Sequence, residues 1–307
     1  MPGERRQHFA DRLAMLVEER RSRIVLGLDP DPAALWPAAV AAAEGLGDRA
    51  VLTAGAVARH CMLAIDAAAS ACVAVKLQLA CFERLGEQGW RALRHAAEHA
   101  REHGLLVIAD GKRGDVPVTA TAYAQALFGE TPGPFGSVPG LGADAATANP
   151  LLGRDALAPL VEGAAQAGAG LFVLVSTSNP GAAEIQDQGP QPLHERLAGL
   201  VDELGAEHVG EAGLSSVGAV TGATRPGLLA RLRELMPHAV FLLPGVGAQG
   251  GRLEELGPAF APHPAAGLVT ASRSIVNAHE ERGGDPARAA TSAAEELRLA
   301  AWGLAGG

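Results

Sequence analysis

Short apolar runs recur along this chain, each followed by a polar or glycine-rich turn and then by a stretch with helical spacing. The runs at 24–28, 72–76, 105–109, 144–148, 171–176, 216–221, 240–243 and 268–272 are short and nearly continuously apolar, as strands buried on both faces are. Between them, helical periodicity covers 55–69, 90–103, 119–128, 193–204 and 226–236, and a last helix covers 286–302. Strands alternating with helices predict a parallel sheet with crossover connections. Eight such repeats predict an α/β chain closed into one (β/α)8 barrel, a TIM barrel, over 1–307. An open, doubly wound sheet is the competing arrangement. Phe9, Leu13, Leu16 and Val17 fall on one side of an N-terminal helix over 7–21, suited to closing the bottom of the barrel. Two stretches read as insertions: 129–142, rich in Gly and Pro, and 180–191, a long loop over the barrel mouth.

Composition narrows the function classes. A hydrophobic share of 48% over 307 residues is ample for one large core. With 25 basic against 34 acidic residues, a net charge of −9 argues against nucleic acid as partner, and 4% aromatics offers few stacking platforms. Cys61, Cys72 and Cys81 lack zinc-type spacing and read as reduced thiols of a cytoplasmic protein. No uninterrupted apolar run of membrane-spanning length is seen, so no membrane role is expected.

The chemistry concentrates where the predicted strands end, which in a barrel is the functional face. The third strand runs into Asp110-Gly111-Lys112-Arg113-Gly114-Asp115. Residues i and i+2 of an extended segment share a face, so Asp110 and Lys112 should point the same way. Gly114 lets the chain turn and present Asp115, so two carboxylates would bracket one ammonium. Such a group can act on charge that develops during a reaction. The first strand ends in Asp29-Pro30, the second in Lys76, and the fifth in Ser176-Thr177-Ser178-Asn179-Pro180-Gly181. After the seventh comes Pro244-Gly245-Val246-Gly247-Ala248-Gln249-Gly250-Gly251, and after the eighth Ser272-Arg273-Ser274. The last two loops suit a phosphate: glycine lets amides approach it closely, and Arg273 can grip it bidentately. Gly245-x-Gly247-x-x-Gly250 formally matches the dinucleotide fingerprint, but no acid stands near position 270, so a single phosphate fits better.

Each group alone has a plain reading. Asp29 before Pro30 can be a turn former, Lys76 can snorkel from a strand end, and Ser178-Asn179-Pro180-Gly181 can be only a turn. Their joint occurrence at successive strand ends is what those readings leave unexplained. His95, His99 and His103 lie on one helix face, but no carboxylate from another element is visibly paired with them, so no metal site is expected.

These residues resemble the orotidine 5′-phosphate decarboxylase family, in the subgroup with a D-x-K-R-G-D motif. The likeness runs from Leu26-Gly27-Leu28-Asp29-Pro30 to Ala271-Ser272-Arg273-Ser274-Ile275 and is most specific at 110–117 with Thr119. It implies a homodimeric barrel without metal or organic cofactor that converts orotidine 5′-phosphate to uridine 5′-phosphate and CO2. It also implies that Lys112, Asp110, Asp115 and Lys76 are the catalytic network. Asp29, Thr119, Ser178, Pro180, Gln249 and Arg273 would be substrate-binding, and Gly245, Gly247 and Gly250 the phosphate loop. Asp115 and Thr119 would cross to the partner's site. Two alternatives stand beside this reading. One is a Mg2+-dependent sugar-phosphate decarboxylase or aldolase on the same barrel, against which Lys76 speaks, since a metal would want a carboxylate there. The other is a non-catalytic nucleotide-binding barrel.

Overall fold

Residues 7–45, 47–247 and 250–304 are described by a computed structural model. Eight parallel strands, β1 (Ile24–Leu28), β2 (Ala74–Gln78), β3 (Leu106–Arg113), β4 (Ala145–Ala148), β5 (Gly170–Ser176), β6 (Ser215–Thr221), β7 (Ala239–Leu243) and β8 (Gly267–Ala271), close in the order β1-β8-β7-β6-β5-β4-β3-β2. The expected (β/α)8 barrel is therefore the fold, and the open sheet is excluded. The main helices are α1 (Phe9–Arg20), α2 (Arg49–Ala68), α3 (Gly86–Glu102), α4 (Pro117–Leu127), α5 (Arg154–Gln166), α6 (Leu193–Gly205), α7 (Pro226–Leu235) and α8 (Pro286–Gly303). Among the described residues, the β7–β8 connection has only 3-10 turns, at Leu253–Glu255, Gly257–Phe260 and Pro264–Ala266.

The two-residue period of the strands sorts the core into two layers. Ile24, Leu26, Val75, Leu77, Val107 and Ala109 pack outward against the helices. Val25, Ala74, Leu106, Ile108, Ala145, Phe172 and Leu268 fill the interior, joined by Phe9, Leu13 and Val17 of α1. Phe9 meets Phe172 edge to face at 5.9 Å, so α1 plugs one end of the barrel, each buried apolar side chain stabilising by about 2 kcal/mol. Arg12 of α1 donates to Asp144 at 2.6 Å, and Arg20 donates to the carbonyls of Cys72 at 2.7 Å and His103 at 2.8 Å. The opposite end is left open.

By length and composition 49–71 would pass for a membrane span, yet α2 is a barrel helix whose buried residues join the outer layer of the core. The segment 129–142 carries a short hairpin, Glu130–Thr131 with Val138–Pro139. The segment 180–191 folds as a 3-10 turn, Pro180–Ala182, and a helical turn, Ala183–Gln186. Cys61 and Cys72 are buried and Cys81 half-buried, all as free thiols.

Candidate active site

The alternation that fills the barrel with Ala74 and Ile108 continues upward in polar residues. Along β2 the inward positions are Ala74, Lys76 and Gln78; along β3 they are Leu106, Ile108 and Asp110; along β4, Ala145 and Thr147. Register sets Gln78 beside Asp110 and Lys76 beside Ile108. Charged groups thus converge one layer above an apolar floor.

Asp110 is the hub. Its Oδ2 accepts from Lys76 Nζ at 2.7 Å, and its Oδ1 accepts from Lys112 Nζ at 2.6 Å and from the Thr147 hydroxyl at 2.8 Å. Lys76 also lies 3.6 Å from Asp29 Oδ1. Burial alone would raise the Asp110 pKa, but the two ammonium groups outweigh it and hold the carboxyl down to about 2. For Lys76, burial opposes the charged form, and Asp110 with Asp29 reverses the sign, leaving its pKa raised. Four charges in alternating order therefore stand fixed at the strand ends.

Lys112 reaches this position by an irregular route. It is one of two non-glycine residues with left-handed backbone among the described residues, at φ 46°. Its amide donates to Thr147 Oγ1 at 2.9 Å, which ties the turn to the same hydroxyl that holds Asp110. The plain extended geometry expected from the sequence is thus interrupted by a left-handed residue inside β3, where the pairing register shifts between Ala109 and Arg113, although Lys112 and Asp110 do meet. Gly114 lacks a left-handed φ. It is needed because a Cβ there would sit 2.6 Å from the Asn149 carbonyl oxygen. Asp115 does not bracket Lys112 within the chain: its carboxylate accepts from the Val116 amide at 2.7 Å at the start of α4. Neither Asp115 nor Thr119 lines the chain's own cavity.

That cavity, about 1110 Å3, opens at the barrel mouth and is bounded by Asp29, Lys76, Asp110, Lys112, Ser178, Gly245 and Arg273. It sits at the upper end of small-molecule sites in size. Its described walls carry four cations, Lys76, Lys112, Arg196 and Arg273, against two carboxylates, Asp29 and Asp110. In an acidic chain this local excess favours an anionic ligand. Arg273 is exposed, and its guanidinium has no hydrogen bond or ion pair to another of the described residues, although its carbonyl accepts from the Asn277 amide at 2.9 Å. Gly245, Gly247 and Gly250 have φ of 102°, 74° and 90°, values that require glycine. The Gly247 and Gly250 amides bond within the loop, to the carbonyls of Gly251 and Gly247, and neither residue lines the cavity. Pro180 is exposed and stands outside the cavity wall, and Gln249 lies outside the described residues.

Three site groups escape a reading of strand ends. Thr147 is 2% exposed, and its only sequence signal is a lone hydroxyl inside an alanine strand. Arg196 on α6 lines the wall from a helix. Gln186 in 180–191 accepts from the Thr177 amide at 2.9 Å and donates to its hydroxyl at 2.8 Å, pinning the loop to the end of β5. Asp187 then holds Arg225 at 2.7 Å, so the loop is fastened on two sides.

Comparison with known proteins gives this geometry its context. A family profile described as Orotidine 5′-phosphate decarboxylase / HUMPS family matches residues 22–289. The chain is 41% identical over 278 residues to an orotidine 5′-phosphate decarboxylase of Rhodopirellula baltica, covering 89% of each. It is 38% identical over 290 residues to one of Deinococcus radiodurans, covering 94% of this chain and 96% of the relative. The solved structure of Leishmania donovani OMP decarboxylase superposes with a TM-score of 0.70 at 29% identity, covering 96% of this chain and 100% of that one. Barrel, cluster and sequence agree: the chain belongs to the orotidine 5′-phosphate decarboxylase family.

Proposed function

We propose that this chain is a carboxy-lyase that converts orotidine 5′-phosphate to uridine 5′-phosphate and CO2 in pyrimidine biosynthesis, working in the cytoplasm without metal or organic cofactor. The observation that carries the reading is the Lys76–Asp110–Lys112 cluster at the foot of a cavity rich in cations. Relatives covering nine-tenths of the chain bear the name of that activity.

The chemistry asks for one thing above all. When the bond from C6 of the pyrimidine to its carboxylate breaks, the electron pair stays in the ring plane, where ring resonance cannot absorb it. An ammonium beside C6 stabilises that pair and then transfers a proton to it, forming the C6–H bond and leaving a neutral amine that regains its proton from water. Lys112 fills this role, since Asp110 fixes its ammonium in direction. Asp110 also faces the substrate carboxylate, and that repulsion is relieved as CO2 departs. Asp29 takes a ribose hydroxyl, Ser178 contacts the pyrimidine, and Gln249 with Arg273 grips the phosphate beside the 245–250 loop. Phosphate binding, remote from the reacting bond, supplies energy for ordering the loops.

The second acid for Lys112 comes from another copy of the chain. Asp115 and Thr119 stand outside their own cavity, and their chain neighbours Val116 and Val118 are apolar and 53% and 85% exposed. A homodimer that covers this patch brings Asp115 to the partner's Lys112 and excludes water from both sites.

The test is the loss of orotidine 5′-phosphate absorbance at 25 °C in the presence of a chelator, for the native chain and Lys112→Ala. The native chain turns over undiminished. The variant binds uridine 5′-phosphate yet loses on the order of 1,000-fold or more in kcat. Activity that requires added Mg2+ would favour the sugar-phosphate reading, nucleotide binding without turnover the non-catalytic one, and a competent Lys112→Ala enzyme would remove Lys112 from the chemistry.

A further inference from the structure

Away from the barrel mouth, the last turns of α2 and α3 bring together a group that strand-end reasoning does not touch. Asp66 of α2, His99 of α3 and His103 just beyond it lie with one ligand atom of each within 4.8 Å of the others. Asp66 Oδ1 is 2.6 Å from His99 Nε2 and 3.3 Å from His103 Nε2. Both helix ends sit where α1 closes the barrel, since Arg20 bonds the carbonyls of Ala69, Cys72 and His103. His95, one turn earlier on α3, is exposed and outside the group.

The outer nitrogens decide what the inner ones offer. His103 Nδ1 lies 3.0 Å from the His99 carbonyl oxygen, which only accepts, so Nδ1 carries the hydrogen. His99 Nδ1 lies 3.4 Å from Glu102 Oε2, again an acceptor. As the ring stands, the 2.6 Å contact is a hydrogen bond from His99 Nε2–H to the Asp66 carboxylate; moving that hydrogen to Nδ1, which faces Glu102, frees the Nε2 lone pair for a metal ion in its place. Two ring nitrogens and one carboxylate oxygen then face a common point. An imidazole held by an outer carboxylate or carbonyl is the arrangement that orients metal-bound histidine.

We propose that Asp66, His99 and His103 bind a divalent transition-metal ion, zinc foremost, that clamps the ends of α2 and α3 together. Two imidazole nitrogens and one carboxylate oxygen are the donor set zinc takes, whereas Mg2+ and Ca2+ demand mostly oxygen. Bonds of about 2.0–2.1 Å in a tetrahedron place ligand atoms about 3.3 Å apart; His103 already has that spacing from Asp66, and His99, at 2.6 Å, draws back when an ion replaces its hydrogen. Water completes the fourth position. The ion is structural: α2 and α3 flank β2, the strand that carries Lys76, but the cluster lies at the closed end of the barrel, away from the cavity. Removing it therefore lowers heat resistance and leaves turnover at 25 °C intact, so this inference and the proposed activity fail or survive separately.

The experiment is calorimetric titration of the chelator-treated full chain with Zn2+, paired with melting curves. One equivalent binds and raises Tm. The affinity falls at least about tenfold in His103→Gln and in Asp66→Asn, and stays unchanged in His95→Gln. Cobalt(II) supplies a readout independent of any variant, because a four-coordinate site gives intense visible bands in the native chain. Zinc affinity indifferent to His103→Gln and Asp66→Asn would overturn the proposal. So would a native chain that takes up no zinc, shows no rise in Tm and gives no cobalt bands, in which case a proton is all that joins these side chains.

Discussion

Asp110 accepts from four side-chain donors at once, Lys76, Lys112, Thr147 and, at 3.3 Å, Gln78, and that burden sets its pH behaviour. Its pKa is depressed to about 2, against about 3.9 for an unperturbed aspartate. A depressed carboxyl contributes stability that is fully present above the unfolded value and lost as pH falls through the folded one. The window is therefore about pH 4 down to 2, and the contribution is about 2 kcal/mol. Denaturant unfolding of the native chain and Asp110→Asn between pH 5 and 2 checks this. The variant starts less stable, since Lys76 and Lys112 lose their shared counter-ion, but it loses about 2 kcal/mol less on acidification. Equal acid losses would mean that Asp110 carries no such shift. At this scale the sequence is informative where side chains follow strand period. Asp110 and Lys76 are legible as inward groups at the tops of β3 and β2. Thr147 is not, because one hydroxyl among alanines looks like any strand threonine until Asp110 and the Lys112 amide are seen to bond it. Nor is the left-handed turn at Lys112, since nothing in a lysine announces a positive φ.

Elements repeat the lesson with different physics. The barrel strands are legible because each is a short apolar run, and their predicted limits shift by only a few residues. The largest shift is in β3, which continues through the motif to Arg113. Helix starts are harder to place. α2 begins at Arg49 because Asp48 caps it, accepting from the Ala50 and Val51 amides, well before the periodicity at 55 becomes clear. α5 escapes the pattern because Pro159 stands inside it, where proline removes a hydrogen bond. The inserted segments carry no period at all, and their folds depend on tethers. The pin from Gln186 to Thr177 holds one wall of the cavity, with Gly181, Ala182 and Ile185 beside it. Gln186→Ala removes two hydrogen bonds and frees this wall. The expected result is a rise in KM for the nucleotide of about five- to tenfold with a smaller change in kcat, read by steady-state kinetics. An unchanged KM would show that the wall stands without its pin.

The whole molecule presents an imbalance that the proposed dimer would resolve. One chain supplies Lys76, Asp110 and Lys112 to its cavity while its Asp115 and Thr119 stand outside, next to exposed Val116 and Val118. The sequence motif sets Asp115 three residues from Lys112, and spacing alone suggests that they meet; the loop geometry sends the carboxylate elsewhere. We propose that each site is assembled from Lys112 of one chain and Asp115 of another. Mixing inactive Lys112→Ala with inactive Asp115→Ala, then allowing subunits to exchange, tests it directly. In a mixed dimer one site carries both substitutions and the other carries neither. Activity should return to about one quarter of the native level at equal mixing, with orotidine 5′-phosphate absorbance as the readout. Mixtures that stay as inactive as the separate variants would contradict the shared site.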